Sequence, residues 1–272
     1  MRGQRISSVG LAIFCVALSC TGALAQQHEE ELAKKLSNPV ADLISVPFQF
    51  NFDGNVGPAR DGNRQYLNLQ PVIPIKLNAD WNLISRTILP VINQNDIFPG
   101  AGSQFGLGDV TQSFFFSPRP IPLGDNAHFI WGAGPVFFLP TGTDPLMTAD
   151  KWGAGPTAVG LVQSGPWTVG MLANYIQSFA GNGAREVRST FLQPFVSYTT
   201  KDAWTFTLNT ESTYDGVGHE WTVPVNFMIS KLIKIGHQPV SLGGGVRYYV
   251  ESPAGGPHGW GGRAVVTLLF PK

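Results

Sequence analysis

Leu43-Ile-Ser-Val-Pro-Phe-Gln-Phe-Asn-Phe-Asp53 alternates strictly: Ile44, Val46, Phe48, Phe50 and Phe52 fall on one side, and Ser45, Pro47, Gln49, Asn51 and Asp53 on the other. Successive side chains of an extended strand project to opposite faces, so this segment has one apolar and one wet face. The dyad returns at 204–211, where Trp204, Phe206 and Leu208 oppose Thr205, Thr207, Asn209 and Glu211. It returns again at 240–251, where Val240, Leu242, Val246, Tyr248 and Val250 oppose Ser241, Arg247, Tyr249 and Glu251. Such segments suit a wall between lipid and water.

Working outward from these, strands are expected at 43–53, 66–77, 81–91, 106–117, 128–140, 152–163, 167–179, 189–200, 204–214, 221–230, 239–250 and 260–270. Each is near or above the roughly 9–11 residues that a tilted strand needs to cross a bilayer. Connections alternate between long (54–65, 92–105, 141–151, 180–188, 215–220, 251–259) and tight (78–80, 164–166, 201–203, and a bend around 234–238). Bacterial barrels have an even strand count and this loop asymmetry. Trp81, Trp152, Trp167, Trp204, Trp221 and Trp260 stand at strand starts, where an amphipathic ring suits the headgroup level. The expected fold is all-β: an antiparallel transmembrane β-barrel of about 12 strands with a short N-terminal helical segment. Pro71, Pro74, Pro90, Pro135, Pro156, Pro194 and Pro224 fall inside these strands and predict local bulges, because proline cannot donate to a ladder.

The N-terminus indicates export. Arg2 and Arg5 precede an apolar run at 9–18, too short to span a bilayer, and Ala23-Leu-Ala25 supplies a cleavage site, so 1–25 reads as a signal peptide cut after Ala25. A lipoprotein signal ending at Cys20 competes, although Leu18 stands where such signals carry a small residue. Both cysteines, Cys15 and Cys20, lie in the signal, which excludes disulfides and thiolate chemistry from a chain cut after Ala25. With Arg2 and Arg5 removed, 16 of the 18 basic residues remain against 18 acidic ones, so no nucleic-acid partner is expected. Charged residues are only 13% of the chain, against about 25% in soluble domains. Residues 26–40 form a leader whose helical pattern, Glu30 and Glu31 four residues before Lys34 and Lys35, stops at Pro39, and 41–272 form the barrel. The leader either docks at or inside the barrel as a plug or remains in the periplasm.

Several strings point to a family: Leu36-Ser-Asn-Pro-Val-Ala-Asp-Leu-Ile-Ser-Val-Pro-Phe-Gln49, Asn68-Leu-Gln-Pro-Val-Ile-Pro74, Trp81-Asn-Leu-Ile-Ser-Arg-Thr-Ile-Leu-Pro-Val91, Gly106-Leu-Gly-Asp109, Lys151-Trp-Gly-Ala-Gly-Pro-Thr157 and Asn209-Thr-Glu-Ser-Thr-Tyr214. Together they resemble the outer-membrane proteins named for the meta-cleavage pathway of phenol degradation. The resemblance spans nearly the whole mature chain and implies a transporter-like barrel near the channels for hydrophobic compounds. It brings no substrate and no catalytic residue. The last strand, ending in Phe270, resembles the terminal strand recognised by the outer-membrane assembly machinery, although Pro271 and Lys272 follow it.

Strand parity turns a set of polar residues toward the lumen: Gln49, Asn51, Asn68, Gln70, Lys76, Arg86, Asp109, Asn174, Gln193, Asn209, Glu211, Asn226, Arg247, Glu251 and Arg263. Charges of both signs suggest internal pairing rather than one selectivity ring. The same parity turns Ile84, Ile88, Leu172, Phe191 and Phe195 inward, unlike the uniformly polar lumen of a wide porin. The expected function is passage of small hydrophobic or aromatic molecules across the outer membrane, with a structural or adhesive barrel as the alternative. An outer-rim hydrolase built from Asp215, His219 and His258 lacks a nucleophile motif, so no catalytic residue, metal ligand or cofactor is assigned.

Overall fold

The computed structural model describes residues 26–271, so the expected signal and its Ala25 cleavage site lie outside the described residues. Twelve staves follow. They are β1 (Ile44–Val56), β2 (Gly62–Leu69, resuming as Val72–Lys76), β3 (Trp81–Asn95), β4 (Ser103–Leu107, resuming as Val110–Pro118), β5 (Ala127–Leu139), β6 (Lys151–Ser164) and β7 (Trp167–Gly181). The remaining five are β8 (Arg188–Thr199), β9 (Trp204–Thr210, resuming as Ser212–Asp215), β10 (Glu220–Ile235), β11 (Gln238–Glu251) and β12 (Gly259–Phe270). A two-residue piece, Ile121–Pro122, pairs with β5. Each stave pairs antiparallel with the next, and β12 returns to β1 from Ile44↔Phe270 to Asp53↔Gly261. Closure pairs every stave on both sides and leaves no sheet edge.

The dyad decides which face turns in. On β1, Ser45, Asn51 and Asp53 are buried while Phe50 and Phe52 are exposed on the outer wall. β12 repeats it, with Arg263, Thr267 and Leu269 buried and Val266 and Phe270 exposed. The strand-start tryptophans divide between the ends. Trp81, Trp167 and Trp204 open β3, β7 and β9 at one end; Trp152, Trp221 and Trp260 stand second in β6, β10 and β12 at the other. Two aromatic girdles bracket the apolar outer wall.

The strands run beyond their expected ends. β1 reaches Val56 and β3 reaches Asn95, which shrinks two connections to 57–61 and 96–102. Polar cross-strand pairs carry the ladder there, Asn63↔Asn95 and Arg64↔Gln94, and Asn95 Nδ2 donates to Asn63 Oδ1 at 3.2 Å. With polar residues on both faces the alternation vanishes from the sequence, but the backbone pairing does not need it.

Not all the prolines make the expected bulges: Pro74 pairs in register with Ile84 inside an unbroken ladder and Pro194 in register with Met171, and the others interrupt pairing in more than one way. At Pro224 the register shifts by one residue between Val223↔Glu251 and Pro224↔Tyr249, a bulge as expected. Gln70-Pro71 breaks β2, and beside Pro90 the β3–β4 register slips between Val91↔Leu107 and Ile88↔Thr111. Pro135 and Pro156 face each other in register, and the pairing of β5 with β4, and of β6 with β7, lapses beside them. Neither proline makes a bulge.

The leader folds into one mouth of the barrel. Its helix, 26–36, buries Leu32 and Ala33 against Ala41, Leu43, Ala203, Leu232 and Leu269, with Leu36 alongside. Gln163 Nε2 donates to the Lys34 carbonyl at 3.0 Å, and Lys234 lies 3.9 Å from Glu29. After the helix, Asn38 Oδ1 accepts the Val40 N–H at 3.0 Å, and Val40 packs into a second apolar cluster inside the lumen.

Candidate functional site

One side of the lumen holds an apolar cluster and the other a charged one. From β3 to β8 the inner wall carries an apolar cluster, with Ile84, Phe115, Ile130, Val159, Leu161 and Leu172 buried together and Phe191 and Phe195 against them, set among buried polar side chains such as Gln94, Ser113, Ser117, Thr157 and Thr168. From β9 round through β12 to β2 it is polar and charged. Arg247 of β11 is the hub of that half. Its Nε donates to Asn226 Oδ1 at 2.8 Å, Nη1 reaches Asp53 Oδ1 at 3.2 Å and the Tyr66 and Tyr249 hydroxyls, and Nη2 reaches Asn51 Oδ1 and Glu211 Oε2, both at 3.2 Å. Arg263 of β12 donates to Asn51 Oδ1 at 2.7 Å and grips Glu211 with both terminal nitrogens, at 2.8 and 2.7 Å. Fork-on-fork arginine–carboxylate bonding fixes geometry as well as charge. The cluster ties six staves across half the lumen.

Between this cluster and the leader lies a cavity of about 300 Å³. Gln49, Gln70, Arg86, Gln193, Asn209, Glu211 and Arg263 line it, joined by Val72, Phe195, Met228 and Val265, and Leu36 to Pro39 of the leader form its floor. Arg86 Nη2 donates to Gln70 Oε1 at 3.1 Å. Twelve of the fifteen residues assigned to the lumen therefore face it. Ten join the cluster or the cavity; Asn68, opposite Gln49, and Asn174, opposite buried Thr157, share their inward faces. Lys76 is exposed at the end of β2, on the rim. Asp109 anchors a loop, as described below.

Glu251 is a correction. The bulge at Val223/Pro224 inserts Val250 between Tyr249 and Glu251, so Glu251 pairs with Val223 and sits exposed on the outer wall beside Met171, Pro194 and Trp221. One extra residue reverses the parity. Conversely Asp53, Tyr66 and Tyr249 belong to the Arg247 cluster and were not assigned to it. Asp53 and Tyr249 already stood on the wet faces of β1 and β11, and parity alone would have found them.

At the far end the loop 140–150 folds over the mouth. Asp109 Oδ1 accepts the Gly142 N–H at 3.0 Å and the Thr148 hydroxyl at 2.7 Å, and Oδ2 accepts the Ala149 N–H at 2.7 Å. Gln94, buried in the lumen, reaches the Leu146 carbonyl at 3.3 Å and is itself held by Arg64 at 3.0 Å. Beside this loop Glu186 takes a hydrogen bond from Ser178 and pairs with Lys151 at 3.0 Å. The Ser178 bond first, and Lys151 second, hold its carboxyl below the usual carboxylate range. Asp215 and His219 do not assemble as a catalytic pair: Asp215 accepts from Arg185 and from the Val217 and Gly218 amides, while His219 Nδ1 lies 3.1 Å from the Tyr214 hydroxyl.

No protein-family model matches the chain, and no curated protein matches it. Among solved structures it is similar to the COG4313 outer membrane channel from Pseudomonas putida F1, with 15% identity over 84% of this chain and 96% of that one and a TM-score of 0.63. It is also similar to outer membrane phospholipase A from Escherichia coli, with 11% identity, the same two coverages and a TM-score of 0.50. The calcium-bound phospholipase dimer from Salmonella typhi gives 10% identity over 88% and 97% of the two chains and a TM-score of 0.51. These likenesses establish the closed twelve-stranded barrel as a fold of outer-membrane proteins.

Proposed function

We propose that this protein is an outer-membrane channel for small hydrophobic or aromatic molecules, delivered by a signal peptide cut after Ala25, with the leader end in the periplasm and the loop 140–150 outside. The observation that carries this reading is the apolar cluster inside the lumen. The apolar cluster carried by β3 to β8 meets, through Val72 and Phe195, a cavity of about 300 Å³, within the range of small-molecule sites. A general porin would present water on all sides. Support comes also from the channel among the similar structures and from the sequence resemblance to the phenol-degradation family. Outer-membrane lipid against the exposed phenylalanines, and the assembly machinery at β12, are the partners this reading requires.

The test is permeation by the purified mature chain in liposomes. Phenol and toluene should equilibrate faster than through protein-free vesicles, while disaccharides should enter far more slowly than through a general porin. Sugar flux at porin rates would overturn the reading.

A further inference from the structure

We propose that the cavity below the Arg247 cluster is a binding site for small carboxylates with an apolar body, and that Arg86 holds the carboxylate. The inference rests on the channel reading and narrows its permeant from any small apolar molecule to an anionic one.

Charge balance inside the barrel is the first ground. Arg64, Arg86, Arg247 and Arg263 turn inward, and the carboxylates that answer them are Asp53 and Glu211. Glu211 is shared by Arg247 and Arg263, and Asp53 is taken by Arg247. Arg86 makes no ion pair within 4 Å among the described residues: its hydrogen bond goes to the neutral amide oxygen of Gln70, and Glu211, whose charge reaches it through space, is bonded by Arg247 and Arg263. A guanidinium has five donors in a fixed fork that matches a carboxylate. Removing such a cation from bulk water with only a shared anion at a distance is costly. Asp109, the remaining acid on the inner face, is consumed by the loop it anchors.

Position is the second ground. Arg86 stands on β3, where the two halves of the lumen meet. It is opposite Val72 of β2, two residues from Ile84 of the apolar wall, and on the same cavity as Phe195. A solute whose charged end meets Arg86 can therefore lay its apolar body along Val72 and Phe195. Gln193 and Asn209 line the same space and can donate to a second carboxylate oxygen. A cation would face the net positive charge of Arg86, Arg247 and Arg263 set against Asp53 and Glu211, and a neutral molecule would leave Arg86 as it stands.

Three probes with one phenyl body separate these cases: phenylacetate, 2-phenylethanol and 2-phenylethylamine, titrated against the detergent-solubilised mature protein by calorimetry. Phenylacetate should bind roughly tenfold tighter than the alcohol, the scale of one charge-assisted hydrogen bond, and the amine weakest. Arg86→Gln should bring acid and alcohol within about twofold of each other without changing the alcohol, and Arg86→Lys should keep part of the preference. Heat-dependent gel mobility reports whether each variant folds. Should Arg86→Gln not fold, phenylacetate should still reduce the ion current of the unaltered protein where the alcohol at equal concentration does not. Equal affinity for acid and alcohol, or a preference that survives Arg86→Gln, overturns the carboxylate site and leaves the channel standing. Failure of all three probes to bind, together with no flux of phenol or toluene, overturns both.

Discussion

Arg247 shows how much one side chain can carry in a barrel with no solid core. Buried, with two carboxylates, two amides and two hydroxyls around it, it joins β1, β2, β9, β10 and β11. Removing one member of a buried ionic cluster strands the others, which costs more than the cluster's net contribution. Arg247→Met is expected to lower stability by about 3–5 kcal/mol, read from the urea midpoint of the refolded barrel. Arg247→Lys should recover only part of this, because an ammonium keeps the charge and loses the fork. Glu211→Gln should cost less, since its amide still accepts from Arg263 and its side chain keeps 21% of its exposure. The cluster was largely legible in the sequence, since period-2 counting turns Asn51, Glu211, Asn226, Arg247 and Arg263 inward. Which of these bond to one another was not legible, because closure of β12 on β1 brings together residues about 200 positions apart, such as the directly opposed Asn51 and Arg263.

At the scale of elements, β5 and β6 carry apolar or small residues on both faces, which blurs the dyad there. The reason is close approach of backbones. A Cβ added at Gly155 would lie 1.8 Å from the Tyr175 carbonyl oxygen, and one at Gly134 would lie 2.1 Å from that of Phe114. Gly155→Ala should therefore reduce the folded fraction, whereas Gly255→Ala, with nothing within 4 Å, should match the unaltered protein on the same heat-modified gel. Loops were the least legible elements, because nothing local marks 140–150 as folding inward; Asp109 does so from some thirty residues before it. Asp109→Ala removes the acceptor for three donors at once and should raise open-channel conductance severalfold without loss of the barrel. The neighbouring loop carries a pH dependence. Glu186 is held below its usual value near 4.5, so its contribution is complete above that pH and is lost as pH falls through the lowered value. Protease cleavage within 182–187 should accelerate on that acid limb, and Glu186→Gln should abolish the acceleration.

Considered as a whole, the molecule is a closed wall with three internal stops: the loop 140–150 at one mouth, the leader at the other, and the arginine cluster between them. The stops differ in how firmly they are built. The cluster is bonded into six staves and the loop is pinned by a carboxylate, but the leader is an eleven-residue helix that would be marginal alone and holds through a few apolar side chains, hydrogen bonds from Gln163 to the Lys34 carbonyl and from Gln26 to Asp202, and one long ion pair. Each of Leu32 and Leu36 contributes at most about 1.5–3 kcal/mol by burial, a small sum against the ordering of the segment. The barrel does not depend on it, since β1 begins at Ile44 and closes on β12 without any leader residue. Deleting 26–36 from the mature chain is therefore expected to leave heat-modified mobility intact and to increase single-channel conductance in planar bilayers. Leu32→Glu should act in the same direction, because a carboxylate cannot stay between Ala203 and Leu269 unpaired. If neither change alters conductance, the cluster rather than the leader limits flow, and Arg247→Met in the deleted background should then be the change that opens the passage.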